Sequence, residues 1–268
     1  MVRLIDTHCH LTSDAFAQDF DQVLAAAKLA GVERIVVPAV DLESSRQVVE
    51  LARRNPQLFA AVGVQPEFSG SFSPDQMAEI EELARSESVV AIGEIGLDFH
   101  YVPSDVQCQE RVFEQMLKLA SKVGKPVLIH SRDAMEPVLT LLKKWIEGLE
   151  QPALKDLALA PGIIHAFEGN VEQADRAVAL NFALGVGGPI TYRGAALKRA
   201  VFEQIGLEHL VLETDAPYLP PHPYRGKRNE PAFIRYIAEK LSEVTHRPLE
   251  IVVQETTNCA WRVFRWEE

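Results

Sequence analysis

The chain has few cysteines, no long hydrophobic run and no excess of positive charge. Its three cysteines, Cys9, Cys108 and Cys259, are widely spaced in 268 residues, so neither a disulfide framework nor a paired zinc motif is indicated. No segment is apolar for long enough to be a membrane span or a signal peptide. We therefore expect a cytoplasmic protein with no membrane partner.

The charge balance limits the kinds of ligand that the surface can attract. A formal net charge of -11 disfavours broad electrostatic contact with nucleic acid. A local, metal-centred site remains open, since two divalent cations would add about four positive charges where the substrate binds. The sequence also lacks the GxxxxGK[ST] phosphate loop and the GxSxG nucleophile elbow, so nucleotide-driven chemistry and serine hydrolysis have no support.

Short β-branched runs alternate with segments of helical period from end to end. This pattern predicts a (β/α)8 TIM barrel formed by residues 1–268 as one domain. The predicted strands are Arg3–Asp6, Arg34–Ala39, Phe59–Val64, Val89–Ile95, Pro126–His130, Gly162–Ala166, Phe182–Gly185 and Leu210–Glu213. The predicted helices are Phe20–Ala30, Leu42–Arg54, Pro74–Ser86, Gln107–Val123, Ala134–Glu147, Val171–Leu180, Ala195–Ile205 and Glu230–Val244. The stretch Glu147–Pro161 is predicted to be a surface connection.

An open, doubly wound sheet would alternate strand and helix in the same way. It gives no reason for polar side chains to follow so many different strands. In a barrel the carboxyl ends of all strands meet at one face, where residues distant in sequence share a site.

Six potential metal ligands lie where the predicted strands end. His8 and His10 alternate, so their side chains share one face. The others are Glu94, His130, His165 and Asp215, and six ligands suit two metals better than one.

Two of the six are carboxylates with further candidate roles. Glu94 lies in an apolar strand, where bridging two cations would offset the cost of burying its charge. Asp215 is a candidate ligand, a base that orients or deprotonates water, or both. Asp98 and Glu213 are weaker candidates for groups that orient histidine N–H bonds.

Seven segments in order resemble the TatD family of metal-dependent deoxyribonucleases, a branch of the amidohydrolase-like barrel enzymes. They are DTHCHL (6–11), GEIGLD (93–98), IHSRDA (129–134), HAFEG (165–169), GVGGPITY (185–192), ETDAPYL (213–219) and PYRGKRNEP (223–231). The resemblance implies one metal held by His8, His10, Glu94 and Asp215, and a second held by Glu94, His130 and His165. It also implies two divalent cations (Mg, Mn or Zn) and a single-stranded DNA or other phosphoester substrate. We expect no stable protein partner.

The sequence departs from the family pattern after the third predicted strand. The family usually has a Gly-Val-His-Pro-His type segment, whereas this chain has Gln65 and Glu67 in place of both histidines. Gln65 can hydrogen-bond a phosphate or water but cannot act as an acid near neutral pH. The departure leaves the predicted metal ligands unchanged and bears on nuclease efficiency or substrate.

Basic residues near the predicted strand ends are candidate phosphate contacts. Arg225, Lys227 and Arg228 lie in a Gly- and Pro-containing loop after the eighth strand, and Arg132 directly follows the His130 segment. Arg225, Lys227 and Arg132, together with Gln65, are therefore the predicted substrate contacts, although solvated turns and ion pairs are the ordinary alternatives for the basic residues.

These observations predict a hydrolase that uses a metal-activated water, with Asp215 and Glu94 as its catalytic carboxylates. A phosphodiesterase of TatD type is the first interpretation. An amidohydrolase or esterase, acting on a small substrate or an aminoacyl-tRNA, is one alternative. The other is a weakly active metal-binding protein, suggested by the replaced histidines.

Overall fold

Eight parallel strands form one sheet in the order in which they occur along the chain. A computed structural model describes residues 3–101, 105–149 and 152–266. The strands are β1 (Leu4–Asp6), β2 (Val32–Pro38), β3 (Leu58–Val62), β4 (Val89–Asp98), β5 (Val127–Arg132), β6 (Gly162–Ile164), β7 (Ala183–Val186) and β8 (Leu210–Leu212). The (β/α)8 TIM barrel predicted from the alternating pattern is confirmed.

The barrel closes between β1 and β8, mainly through residues just beyond the strand ends. Thr7 N donates to Leu212 O at 3.0 Å, and Cys9 forms an isolated parallel bridge with Ala216. This closure brings the segments that follow the first and last strands side by side, although they are more than 200 positions apart in sequence.

Helices follow the strands and surround the sheet. Their bounds are α1 (Phe20–Leu29), α2 (Leu42–Arg54), α3 (Pro74–Ala84), α4 (Val106–Val123), α5 (Met135–Glu147), α6 (Lys155–Leu159), α7 (Val171–Ala179), α8 (Ala196–Gln204), α9 (Ile234–Thr245) and α10 (Leu249–Phe264). None of the helices in the described residues is both long and apolar enough to span a membrane.

Local signals explain several of these boundaries. Asp41 caps α2 by accepting from Ser44 N at 2.8 Å, and Ser73 precedes Pro74 in a capping box at the start of α3. Gly124 ends α4 in the left-handed conformation with φ 68°, which glycine adopts without steric cost.

Two helices differ from the prediction. The stretch Glu147–Pro161 was predicted to be a surface connection, but its described part contains α6, which buries Leu157. Helix α10 was not predicted at all. Its residues Cys259, Ala260 and Val263 pack on inward-facing apolar residues from all eight strands.

Helix α10 covers the amino-terminal end of the barrel. Thr257 Oγ1 donates to Arg3 O at 2.8 Å, and Arg262 donates to Glu208 O; both acceptors precede strands. The carboxyl-terminal end therefore remains as the open face.

Replacing Phe264 by Ala should lower the free energy of unfolding by about 3–5 kcal/mol, because it leaves a cavity between α10 and the amino-terminal end of the barrel. Phe264 is only 5% exposed, whereas Leu29 on α1 is 90% exposed. Chemical denaturation of Phe264→Ala beside Leu29→Ala checks this expectation. Equal stability of the two variants would show that α10 is not part of the barrel core.

Candidate metal centre

The first group of donor atoms lies directly after β1. The Nε2 atoms of His8 and His10 are 3.2 Å apart, so the two rings point to one place, as alternation along an extended chain predicts. Glu94 Oε2 lies 3.5 Å from His8 Nε2 and 3.7 Å from His10 Nε2. These separations suit donors arranged around one ion.

Asp215 joins this group from the segment after β8. Its Oδ1 lies 3.4 Å from His10 Nε2 and 3.9 Å from His8 Nε2. Its backbone N–H donates to His8 O at 2.8 Å, so barrel closure itself positions the carboxylate. Asp215 has φ 57°, a left-handed conformation that Asp and Asn tolerate better than most residues.

The other oxygen of Glu94 faces a second group of donors. Glu94 Oε1 lies 2.7 Å from His130 Nδ1 and 4.0 Å from His165 Nε2. The two carboxylate oxygens thus point to different histidine sets. All six residues selected from the sequence converge at the carboxyl-terminal end of the barrel.

Two further carboxylates contact the far side of the second histidine pair. Asp98 Oδ2 lies 2.9 Å from His130 Nε2, and Glu213 Oε1 lies 3.2 Å from His165 Nδ1. A carboxylate on the second ring nitrogen fixes the orientation and tautomer of a metal-binding histidine. The arrangement agrees with the role expected of Asp98 and Glu213.

The donor chemistry fits divalent cations. Imidazole nitrogens and carboxylate oxygens accommodate zinc, manganese and related ions. Among the residues that the structure describes, three sets have donor atoms that all lie within 4.8 Å of one another. They are His8, His10 and Glu94; Glu94, His130 and His165; and His8, His165 and Glu213. The first two share Glu94, while the third is an alternative arrangement of the same cluster.

The local field favours positive charge. Burial opposes a charge on His165, but Glu213 and other nearby carboxylates outweigh it and raise the pKa of His165 to about 10. Burial opposes a charge on His130 in the same way, but Asp98 and Glu94 raise its pKa to about 9. A field that holds protons on buried imidazoles also attracts a cation into the same space.

Gly185 on β7 makes room for the Glu213 carboxylate. A Cβ at this position would lie 2.4 Å from Glu213 Oε2, which is closer than atoms can approach. We expect Gly185→Ala to displace Glu213 and to weaken metal affinity or activity about 10–100-fold. Metal titration and turnover measure this loss. Gly194→Ala is the matched control, since a Cβ added there would meet nothing within 4 Å; equal behaviour of the two variants would contradict the role of Glu213.

Three buried polar residues around the site were not selected from the sequence. Asp6 accepts hydrogen bonds from Thr214 N at 2.9 Å and from Thr214 Oγ1, which ties the end of β1 to the segment after β8. Asn229 donates to Thr214 O at 2.7 Å. Burial raises the pKa of Asp6 to about 7, although the hydrogen bonds from Thr214 lower it. The signal was available, because Asp6 and Thr214 belong to the two motifs that carry ligands.

The candidate phosphate contacts have different surroundings. The Arg225 guanidinium lies over the Tyr192 ring at 4.1 Å, and both Arg225 and Lys227 are exposed. Arg132 lies over the Tyr101 ring at 4.9 Å. In contrast, Arg228 donates to both carboxylate oxygens of Asp19 at 2.7 and 2.8 Å, so it anchors the loop.

Gln65 lies beside the cluster of predicted ligands. Its Nε2 donates to Glu94 Oε2 at 3.2 Å. The amide thus contacts the shared carboxylate directly, while Glu67 is exposed. The two residues that replace the family's histidines therefore differ in their surroundings: Gln65 contacts a predicted ligand, whereas Glu67 faces solvent.

Comparison with known proteins agrees with this architecture. The family model described as TatD related DNase matches residues 5–265. The chain belongs to this family.

The similarity to known proteins covers nearly the whole chain. An uncharacterized metal-dependent hydrolase, YabD of Bacillus subtilis, is 39% identical over 98% of this chain and 99% of that protein. The 3'-5' ssDNA/RNA exonuclease TatD of Edwardsiella piscicida is 36% identical over 98% of this chain and 99% of that protein. The crystal structure of the TatD homolog YjjV from Escherichia coli superposes with a TM-score of 0.90 at 33% identity, covering 99% of both chains. This chain is thus a metal-dependent hydrolase of the TatD family.

Proposed function

We propose that the chain is a phosphodiesterase that cleaves single-stranded nucleic acid with two divalent cations bound on either side of Glu94. The observation that carries the proposal is the division of this one carboxylate, with Oε2 toward His8 and His10 and Oε1 toward His130. A carboxylate placed in this way is suited to bridging.

The charge of the surroundings supports two cations rather than one. Glu94, Asp98, Glu213 and Asp215 together carry four negative charges when ionised, which two divalent cations would balance. When bound, the cations would acidify a water molecule and neutralise charge that develops on the phosphate. Magnesium, manganese and zinc are all compatible with the donor set.

The side chains would then divide the remaining work. Asp215, which is 13% exposed, would accept a proton from the attacking water. Asp98 and Glu213 hold the rings of His130 and His165 in orientation. Gln65 donates to Glu94 and so limits rotation of the shared carboxylate.

Arg225 is the proposed contact to a nonbridging phosphate oxygen. Its guanidinium lies over the Tyr192 ring at 4.1 Å. Burial raises the pKa of the Tyr192 phenol, the positive charge of Arg225 lowers it, and the negative charge of Asp215 raises it. The loop after β8 therefore presents a cation within electrostatic range of the metal centre.

Replacing Arg225 by Ala should raise KM for an oligonucleotide about tenfold while metal content stays the same, since one charge-assisted hydrogen bond is lost. Steady-state kinetics and metal analysis check both parts. Arg54→Ala removes the same charge from an exposed position on α2 and is the matched control. Unchanged KM in Arg225→Ala would exclude a phosphate contact.

The proposed chemistry is tested by measuring turnover of a labelled single-stranded oligonucleotide beside a panel of small esters and amides. Magnesium, manganese and zinc are supplied separately. We expect cleavage of the oligonucleotide, inhibited by a metal chelator. Turnover of an ester or amide that excess oligonucleotide fails to inhibit would favour the amidohydrolase or esterase alternative. Metal binding without any turnover would favour the weakly active metal-binding protein.

A further inference from the structure

Two of the five tyrosines differ from the rest in their surroundings. The hydroxyls of Tyr224 and Tyr236 hydrogen-bond each other at 3.0 Å, and that of Tyr192 donates to a backbone carbonyl. Among the described residues, the hydroxyls of Tyr101 and Tyr218 make no hydrogen bond. These two tyrosines are also 61% and 57% exposed. Neither ring is buried in the core, and neither hydroxyl ties segments of the described chain together.

Both exposed rings lie at the open face of the barrel. Tyr101 follows β4 and Tyr218 follows β8, and strands four apart in an eight-stranded barrel lie on opposite sides. The two rings therefore flank the carboxyl-terminal opening that contains the metal centre.

Each ring is connected to a different half of the cluster. The Tyr218 ring meets the His10 ring edge-to-face, with centroids 5.8 Å apart. Tyr101 N donates to Asp98 Oδ1 at 2.7 Å, and the other oxygen of Asp98 contacts His130. The Tyr218 ring and the Tyr101 backbone thus both contact residues of the cluster around Glu94.

We infer that Tyr101 and Tyr218 bind nucleobases on either side of the opening while the phosphodiester lies at the metal centre. This inference rests on the proposed function. Every base has a flat π-face, so stacking on aromatic side chains binds single strands with little sequence preference. Arg132 places a positive charge 4.9 Å from the Tyr101 ring. There it would form a charge-assisted hydrogen bond with the phosphate next to a base stacked on Tyr101.

Stacking of this kind also distinguishes single strands from duplexes. Paired bases are already stacked on one another, whereas bases of a single strand can turn toward the protein. Tyr101 and Tyr218 would therefore favour unpaired substrates. The net charge of -11 disfavours binding of nucleic acid over a broad surface. Affinity would come from the opening itself rather than from an extended basic surface.

Binding of a short single-stranded oligonucleotide tests the inference. Phosphorothioate linkages slow cleavage, and a 2-aminopurine base reports stacking by loss of fluorescence. We expect Tyr101→Ala and Tyr218→Ala each to raise Kd at least about fivefold and to reduce the quenching. Tyr101→Phe and Tyr218→Phe, which keep the rings, should bind within about twofold of the unaltered protein.

Two controls separate stacking from other effects. An abasic oligonucleotide of the same length has the phosphates but no bases, so its Kd should be the same for all variants. Leu29→Ala removes an apolar side chain that is 90% exposed on α1, and it should change the Kd of neither the normal nor the abasic oligonucleotide. Thermal melting of each variant checks that the fold is retained.

The outcomes distinguish this inference from the proposed function. If the unaltered protein binds and cleaves the oligonucleotide but both Ala variants bind it equally well, the stacking role is wrong and the proposed function stands. Equal losses for normal and abasic strands would also reject stacking. If the unaltered protein neither binds nor cleaves any single strand with any of the three metals, the proposed function fails first.

Discussion

Glu94→Gln should lose at least half of its bound metal and more than about 99% of its turnover. The substitution keeps the size of the side chain but removes the negative charge that both donor groups share. Removing one charged partner from a buried, closely packed set costs several kcal/mol, which corresponds to a more than hundredfold weaker metal affinity. Elemental analysis after gel filtration and oligonucleotide cleavage measure the two losses.

The matched control for this substitution is Glu79→Gln. Glu79 is an exposed carboxylate that pairs with Arg46 at 2.6 Å on the outer helices, so the same chemical change there should leave metal content and turnover intact. Full stoichiometry and full turnover in Glu94→Gln would contradict a shared ligand.

Asp215→Asn should lower kcat about 10²–10⁴-fold, the usual range when a positioned general base is removed. Asn tolerates the left-handed backbone of Asp215 at φ 57°, so the fold should persist. Metal content measured in parallel separates the two candidate roles. Retained metal with low kcat indicates a base, and loss of metal from the group containing His8 and His10 indicates a ligand.

Asp133→Asn provides a close control for the backbone effect. Asp133 also has positive φ, 53°, and its exposed carboxylate contacts His100 at 3.1 Å rather than a predicted ligand. The control should retain its kcat. An unchanged kcat in Asp215→Asn with full metal content would exclude both roles.

The alternation of strand and helix was sufficient to predict the barrel because each β-branched run is buried and each helix has one apolar face. The bounds of α2 were predicted in full, since Asp41 caps its start and Asn55 follows its end. Helix α10 was not found from the sequence, because it packs across the end of the barrel instead of belonging to a strand–helix repeat. Local periodicity carries no information about which surface a terminal helix will cover.

The candidate ligands could be selected because histidines and carboxylates after apolar runs are uncommon unless they share a site. The strand of Glu94 continues to Asp98, further than the predicted end at Ile95, so one strand supplies both the shared carboxylate and the partner of His130. The contact between Gln65 and Glu94 depends on how neighbouring barrel strands are placed, which a residue-by-residue interpretation does not reveal.

The most direct test of the account is a crystal structure with manganese and its anomalous scattering. We predict two peaks about 3.5–4 Å apart, on either side of Glu94. One should lie beside the Nε2 atoms of His8 and His10, and the other beside His130 and His165. A single peak among His8, His165 and Glu213, or no peak near Glu94, would contradict the shared carboxylate at the centre of the proposed mechanism.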